Sequence, residues 1–200
     1  MTKPTQSSLL IVHPTLDVKG WIAQPPSAEA ARPGRCPRCG CASRPTGCGL
    51  GVHGHGFRDR AIFGPQDADG APERAWVQCR RYRCVVCVAV MLVVPRGVSP
   101  RRHYSLAAIA MAMTLWAILA LPPARVRERI CVSPSVAWGT EWSTLRRWAH
   151  AARALVDLPA VITLREVAAR VAQIAIGRAP PSLRTAPQVA QAFAGGTAMA

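Results

Sequence analysis

Cys36-Pro37-Arg38-Cys39-Gly40 and its later echo Cys84-Val85-Val86-Cys87 decide how this chain is read. The short spacer inside each pair lets the backbone turn tightly enough for both sulfurs to reach one ion, at about 2.3 Å for zinc. Two such knuckles complete a closed tetrahedron with no position left for water or substrate. The expectation is therefore one structural Zn²⁺ held by Cys36, Cys39, Cys84 and Cys87. Free cysteines also serve as small buried apolar residues, but paired spacing at both ends argues against that here.

Working outward, Ala75 to Arg83 runs into the second knuckle, and the apolar, β-branched run Val88 to Val94 leaves it. This pattern predicts two strands of a hairpin with the knuckle at its turn. Between the knuckles, Cys41 to Gly70 is rich in Gly, Pro, Asp and Arg and reads as a flexible loop. Its Cys41, Cys48, His53 and His55 are alternative ligands, either for a second metal or as substitutes in the first. His53-Gly54-His55 is also similar to the His-hydrophobic-His pair of metal-dependent single-strand nucleases that use a tyrosine nucleophile. That chemistry needs both histidines on one face of a rigid strand. Here glycine replaces the apolar residue, and Tyr82 and Tyr104 are the candidate nucleophiles.

The remaining chain divides by composition. Residues 1–35 read as an irregular leader, 36–98 as the zinc ribbon, 104–178 as a helical region and 179–200 as an Ala/Pro-rich tail that either frays or holds a short helix from Pro187 to Phe193. Ser105 is a natural N-cap for Leu106 to Leu121, which carries no charge. That segment is shorter than a bilayer span and is closed by Pro122-Pro123, so it reads as a buried helix and no membrane partner is expected. Ala124 to Ile130 predicts a short basic helix that breaks at Ser133-Pro134. After Gly139, Glu141 to Leu155 is amphipathic, with Leu145, Trp148, Ala152 and Leu155 on one face and Arg146, Arg147, His150 and Arg153 on the other. Helix, short helix, turn, basic helix is the order of a helix-turn-helix unit. A last helix within Leu158 to Ile176 would pack on this bundle or on a second copy, which leaves a homodimer open.

The chain has 200 residues, half of them apolar, enough to bury a real core. Lys and Arg total 25 against 10 Asp and Glu, a formal net charge of +15. A polyanion is the natural partner, and DNA is the default. Phosphate neutralisation would fall to Arg80, Arg81, Arg83, Arg101, Arg102, Arg146, Arg147 and Arg153, with His150 beside them. The N-terminus lacks the apolar core of a secretion signal, which points to the reducing cytoplasm, where paired cysteines bind metal more often than they cross-link.

Together these residues carry a resemblance. Cys36-Pro37-Arg38-Cys39-Gly40, His55-Gly56-Phe57, Arg81-Tyr82-Arg83-Cys84, Cys87, Pro95, Arg102-His103-Tyr104-Ser105 and Thr144-Leu145-Arg146-Arg147-Trp148 look like the N-terminal zinc-ribbon and helix-turn-helix region of bacterial insertion-sequence transposases and their stand-alone relatives. The resemblance spans about residues 36–155. It implies zinc on Cys36, Cys39, Cys84 and Cys87 and DNA binding, for example to mobile-element ends, by the helical part of a bacterial, nucleoid-associated protein. Two features depart from it. Val88 stands where such ribbons commonly carry glycine, and no catalytic domain follows: past residue 100 the acids are Glu128, Glu141, Asp157 and Glu166, all in helical-looking sequence. The expected protein is thus α+β, a small β zinc ribbon followed by a helix-turn-helix-like region, and it binds DNA without being an enzyme. The alternatives are an active metal-dependent nuclease or transposase fragment and a zinc-ribbon protein-interaction module.

Overall fold

A computed structural model describes residues 9–99, 103–133, 142–156 and 162–199. The fold is mixed α+β, and the chain divides into two compact units, 1–60 with 76–96 and 61–75 with 97–200.

The first unit holds most of a sheet of four strands in the order β1-β4-β3-β2, where β1 is Leu10–Val12, β2 Val52–Gly64, β3 Glu73–Cys84 and β4 Val90–Val93; residues 61–64 of β2 and 73–75 of β3 belong to the second unit. β3 and β4 are antiparallel with Arg80 opposite Val93 and Arg83 opposite Val90, so Cys84 to Cys87 sits at the turn as the sequence predicts. Burial follows from composition: Tyr82, Met91, Leu92, Val93 and Val94 are all nearly inaccessible, which apolar β-branched strands favour.

The stretch expected to be an irregular leader instead joins this sheet. β1 pairs in parallel with β4, Leu10 opposite Met91 and Val12 opposite Val93. Helix α1, Val18–Ala23, follows, capped by Asp17, whose side chain accepts from the Gly20 N–H at 2.8 Å. Its Trp21 is 1% exposed and donates from Nε1 to the Gln78 carbonyl at 3.2 Å. The segment expected to be a loop from Cys41 to Gly70 also holds the long strand β2. Its glycines weaken strand propensity, but β2 lies at the sheet margin, hydrogen-bonded to β3, and residues 53–59 are exposed.

The second unit is helical around one core. Helix α2, Leu106–Met113, starts where Ser105 accepts from the Ala108 N–H at 3.1 Å and continues through a wider π turn, Thr114–Ile118. Helical structure therefore stops short of the expected Leu121. The Thr114 hydroxyl donates back to the Ala110 carbonyl at 3.0 Å, which loosens the regular ladder there. The lack of charge in α2 reflects burial on most sides: Ala107, Ala108, Ala110, Met111, Ala112 and Met113 are all inside. Among the described residues, no helix is long and apolar enough to cross a membrane.

Helices α3, Pro123–Ile130, α4, Ser143–Ala152, and α5, Leu164–Gly177, contribute Val126, Ile130, Leu145, Trp148, Val167 and Val171 to the same core. Tyr104, Trp142 and Trp148 meet edge to face there, with centroids 5.0 to 6.2 Å apart. α5 opens with a capping box, Thr163 accepting from the Glu166 N–H at 3.2 Å while Glu166 accepts from the Thr163 N–H at 2.7 Å. In the tail, where the sequence offers fraying or a short helix from Pro187 to Phe193, the helix forms and runs further, as α6, Gln188–Thr197. It packs because its glycines permit close approach: a Cβ on Gly195 would lie 1.7 Å from the Ala175 carbonyl oxygen, and one on Gly196 2.7 Å from that of Leu106.

Candidate metal centre and basic faces

Each knuckle is one backbone path used twice. In the first, the Gly40 N–H donates to the Cys36 carbonyl at 2.9 Å and the Cys36 N–H to the Cys41 carbonyl at 2.8 Å. In the second, Val88 donates to Cys84 at 3.1 Å and Cys84 to Ala89 at 3.0 Å. The residue after the second cysteine is left-handed in both, Gly40 at φ 73° and Val88 at φ 60°.

The paths bring four thiols together. Sγ of Cys36 lies 3.6 Å from that of Cys87, Cys39 lies 3.7 Å from Cys84, and all four atoms fall within 4.8 Å of one another. Four sulfur donors this close can hold a metal ion. Cys36 and Cys84 are buried, Cys87 is half-buried and Cys39 is exposed. For Cys39, the Cys41 N–H favours the thiolate, but burial and the other three thiols outweigh it and push the group up to about 12. For Cys84, burial opposes ionisation, but the N–H groups of Cys87 and Val86 and the thiols of Cys39 and Cys87 bring it down to about 7. Thiols packed this way compete for ionisation, and a cation among them removes the competition.

Gly51 ties the two knuckles together. Its N–H donates to the Ser43 carbonyl at 2.9 Å, just past the first knuckle, and its carbonyl accepts from Val85 inside the second at 3.0 Å. The first knuckle is further clamped from outside. Glu29 accepts from Arg44 Nε at 2.8 Å and from Arg32 Nη2 at 3.0 Å; Arg32 also donates to the Val52 carbonyl, and Arg35 to that of Gly40 at 3.2 Å. No local motif in the sequence marks these roles, because Gly51 reaches the second knuckle through Val85 and Glu29 reaches past the first through Arg44, each well along the chain.

Among the described residues, the four-cysteine group is the one cluster of three or more metal-ligating side chains, so Cys41, Cys48, His53 and His55 do not form a second. The Cys41 thiol donates to the Ala42 carbonyl at 3.3 Å. His53 and His55 are exposed on β2 and line, with Arg83, a shallow depression of about 360 Å³. Tyr82 is buried and donates its hydroxyl to the Ala28 carbonyl at 2.5 Å; Tyr104 donates to Cys131 Sγ at 3.5 Å. Burial raises the pKa of both phenols.

The arginines separate into engaged and exposed sets. Arg80 donates to the Pro26 carbonyl at 2.7 Å and lies over the Phe57 ring, 4.8 Å from its centroid. Arg81 is half-buried opposite Leu92, and Arg83 is exposed. On α4, Leu145, Trp148 and Ala149 are buried while Arg146, Arg147 and His150 are exposed, the two faces expected from the helical spacing. Ala149 rather than Ala152 completes the buried face. Arg153 departs from the expected solvent face: it is half-buried and donates to the Ile162 carbonyl, because α4 tightens into a 3-10 turn at Arg153–Leu155 and the side chain folds back. Arg101, Arg102, Pro134, Gly139, Glu141 and the Leu155 side chain lie outside the described residues. Compared with family models, curated proteins and solved structures, the chain matches none of them.

Proposed function

We propose that this chain is a zinc-dependent, non-catalytic DNA-binding protein: a zinc ribbon followed by a helix-turn-helix-like region, similar in layout to the N-terminal part of insertion-sequence transposases and serving to bind DNA such as mobile-element ends. The observation that carries the zinc is the spacing of its sulfurs. A tetrahedron with metal–sulfur bonds of about 2.3 Å has edges of about 3.8 Å, close to the 3.6 and 3.7 Å separations. Four thiolates close the coordination shell, so the ion would hold the fold and supply no reactive water. DNA is supported by the net charge of +15 and by the exposed Arg146, Arg147 and His150 face of α4, opposite its buried Leu145 and Trp148. A tyrosine-nucleophile nuclease is disfavoured, since both phenols donate into the fold and ionise less readily than usual.

The test is DNA binding by the zinc-loaded chain across a salt series. Arg146→Ala with Arg147→Ala should leave thermal unfolding nearly unchanged, weaken binding, and make the log-affinity against log-salt slope shallower by about two. Unaltered affinity and slope would remove α4 from the interface.

A further inference from the structure

The part of β2 beyond the metal centre and the adjoining stretch of β3 are exposed in an unusual way. Residues 53–59 are accessible along their whole run, and two large aromatics stand out of this sheet: Phe57 is 52% exposed and Trp76 is 59% exposed. Single exposed apolar residues are ordinary. Phe57 is also paired with a cation, because the Arg80 guanidinium covers one side of its ring. Trp76 and Arg80 are four residues apart on β3, so they share a face and stand about 13 Å apart. The row from Trp76 to Arg80 and Phe57 is thus held on rigid strands, and Arg58, Arg83, His53 and His55 are exposed within the same unit.

We propose that this row is a stacking platform for the unpaired bases of a single-stranded nucleic acid. The inference rests on the nucleic-acid reading above and adds the form of the strand. Every base has a π face that an exposed aromatic can cover, whereas in a duplex those faces are taken by neighbouring base pairs. Cations beside the rings supply the phosphate attraction. An added protein strand suits the site less well: Gly56, next to Phe57, has φ +84° and interrupts the regular pleat that strand addition needs.

The experiment uses the full zinc-loaded chain and two labelled probes of equal length, an oligothymidylate and a mixed-sequence duplex, read by fluorescence anisotropy at fixed salt. Trp76→Ala and Phe57→Ala should each weaken oligothymidylate binding by about tenfold or more, with the duplex changed by less than about twofold. Trp76→Phe should restore most of the single-strand affinity. Retained metal content verifies that each variant is folded. Double-variant affinity for oligothymidylate equal to wild type would overturn the platform and leave the face to a protein partner. Equal losses on both probes would overturn it as well. Wild-type binding to duplex alone would sink this inference and spare the DNA-binding reading; binding to neither probe at low salt would sink both.

Discussion

Gly40 and Val88 occupy the same place in two copies of one backbone path, each donating to the first cysteine of its knuckle, at 2.9 and 3.1 Å, and each left-handed, at φ 73° and 60°. Glycine adopts that conformation without steric cost. A β-branched residue does not, and positions held this way cost on the order of 1–3 kcal/mol. The same four-sulfur geometry is therefore reached by an unstrained turn on one side and a strained one on the other. What holds Val88 in place is visible around it: β3 and β4 pair as full strands on either side of the second knuckle, fixing both its ends, whereas the first knuckle is closed by one isolated bridge, Arg35 opposite Ala42, and by the Glu29, Arg32 and Arg44 clamp. Sequence around a metal site can depart from the easiest turn residue where secondary structure determines the path.

The largest effect on this pairing should come from Gly51, which hydrogen-bonds toward both knuckles. A Cβ there would meet the Ala42 carbonyl oxygen at 2.2 Å and Cys41 Sγ at 2.9 Å, with backbone on the crowded side. Gly51→Ala should destabilise the first unit by about 3 kcal/mol or more, measured as amide exchange in β3 and β4. Wild-type protection would mean the two knuckles are not coupled through this residue.

Exchanging the turn residues tests the strain directly. Gly40→Val should cost about 2 kcal/mol by importing the strain, and Val88→Gly should gain about 1 kcal/mol after the entropy of glycine is subtracted. Denaturant unfolding of both variants decides this; equal and small effects of one sign would show that the two turns are not equivalent.

The smallest effect concerns the clamp. Hydrogen bonds from Arg44 and then Arg32 hold the Glu29 carboxyl down at about 2, against an ordinary 4.5. A depressed carboxylate stabilises the fold above its unfolded pKa, and that contribution fades as pH falls from about 4.5 to about 2. Glu29 is more than half exposed, so solvent screens the pair and the effect is modest. In melting curves taken through this window, Glu29→Gln should lower the melting temperature slightly at neutral pH and flatten the acid side of the profile, the difference from wild type closing as pH falls toward about 2.

The knuckles and the β3–β4 hairpin were legible because their signals are local: a fixed cysteine spacing, and a strand-like stretch entering the turn with a continuous apolar, β-branched run leaving it. The faces of α4 were legible for the same reason, since Leu145, Trp148, Arg146 and Arg147 obey one helical period. β1 was hidden because its three residues gain a partner only in Met91 to Val93, far along the chain. Gly54 and Gly56 disguised β2 as a loop, and Gly195 and Gly196 hid how far the helix expected from Pro187 runs, although they are what lets it pack against Ala175 and Leu106. Arg153 followed the helical period in sequence but was captured by a carbonyl beyond the end of the helix.

The central claim is that Cys36, Cys39, Cys84 and Cys87 hold one structural zinc. Elemental analysis of the purified full chain beside Cys36→Ser and Cys84→Ser tests it most directly. About one zinc per chain is expected in the wild type, with both variants losing the metal and the amide protection of the β3–β4 hairpin, because binding and folding of such a site are one free energy. A wild-type protein without zinc, or a Cys84→Ser protein that keeps its zinc and its protected hairpin, would contradict the account.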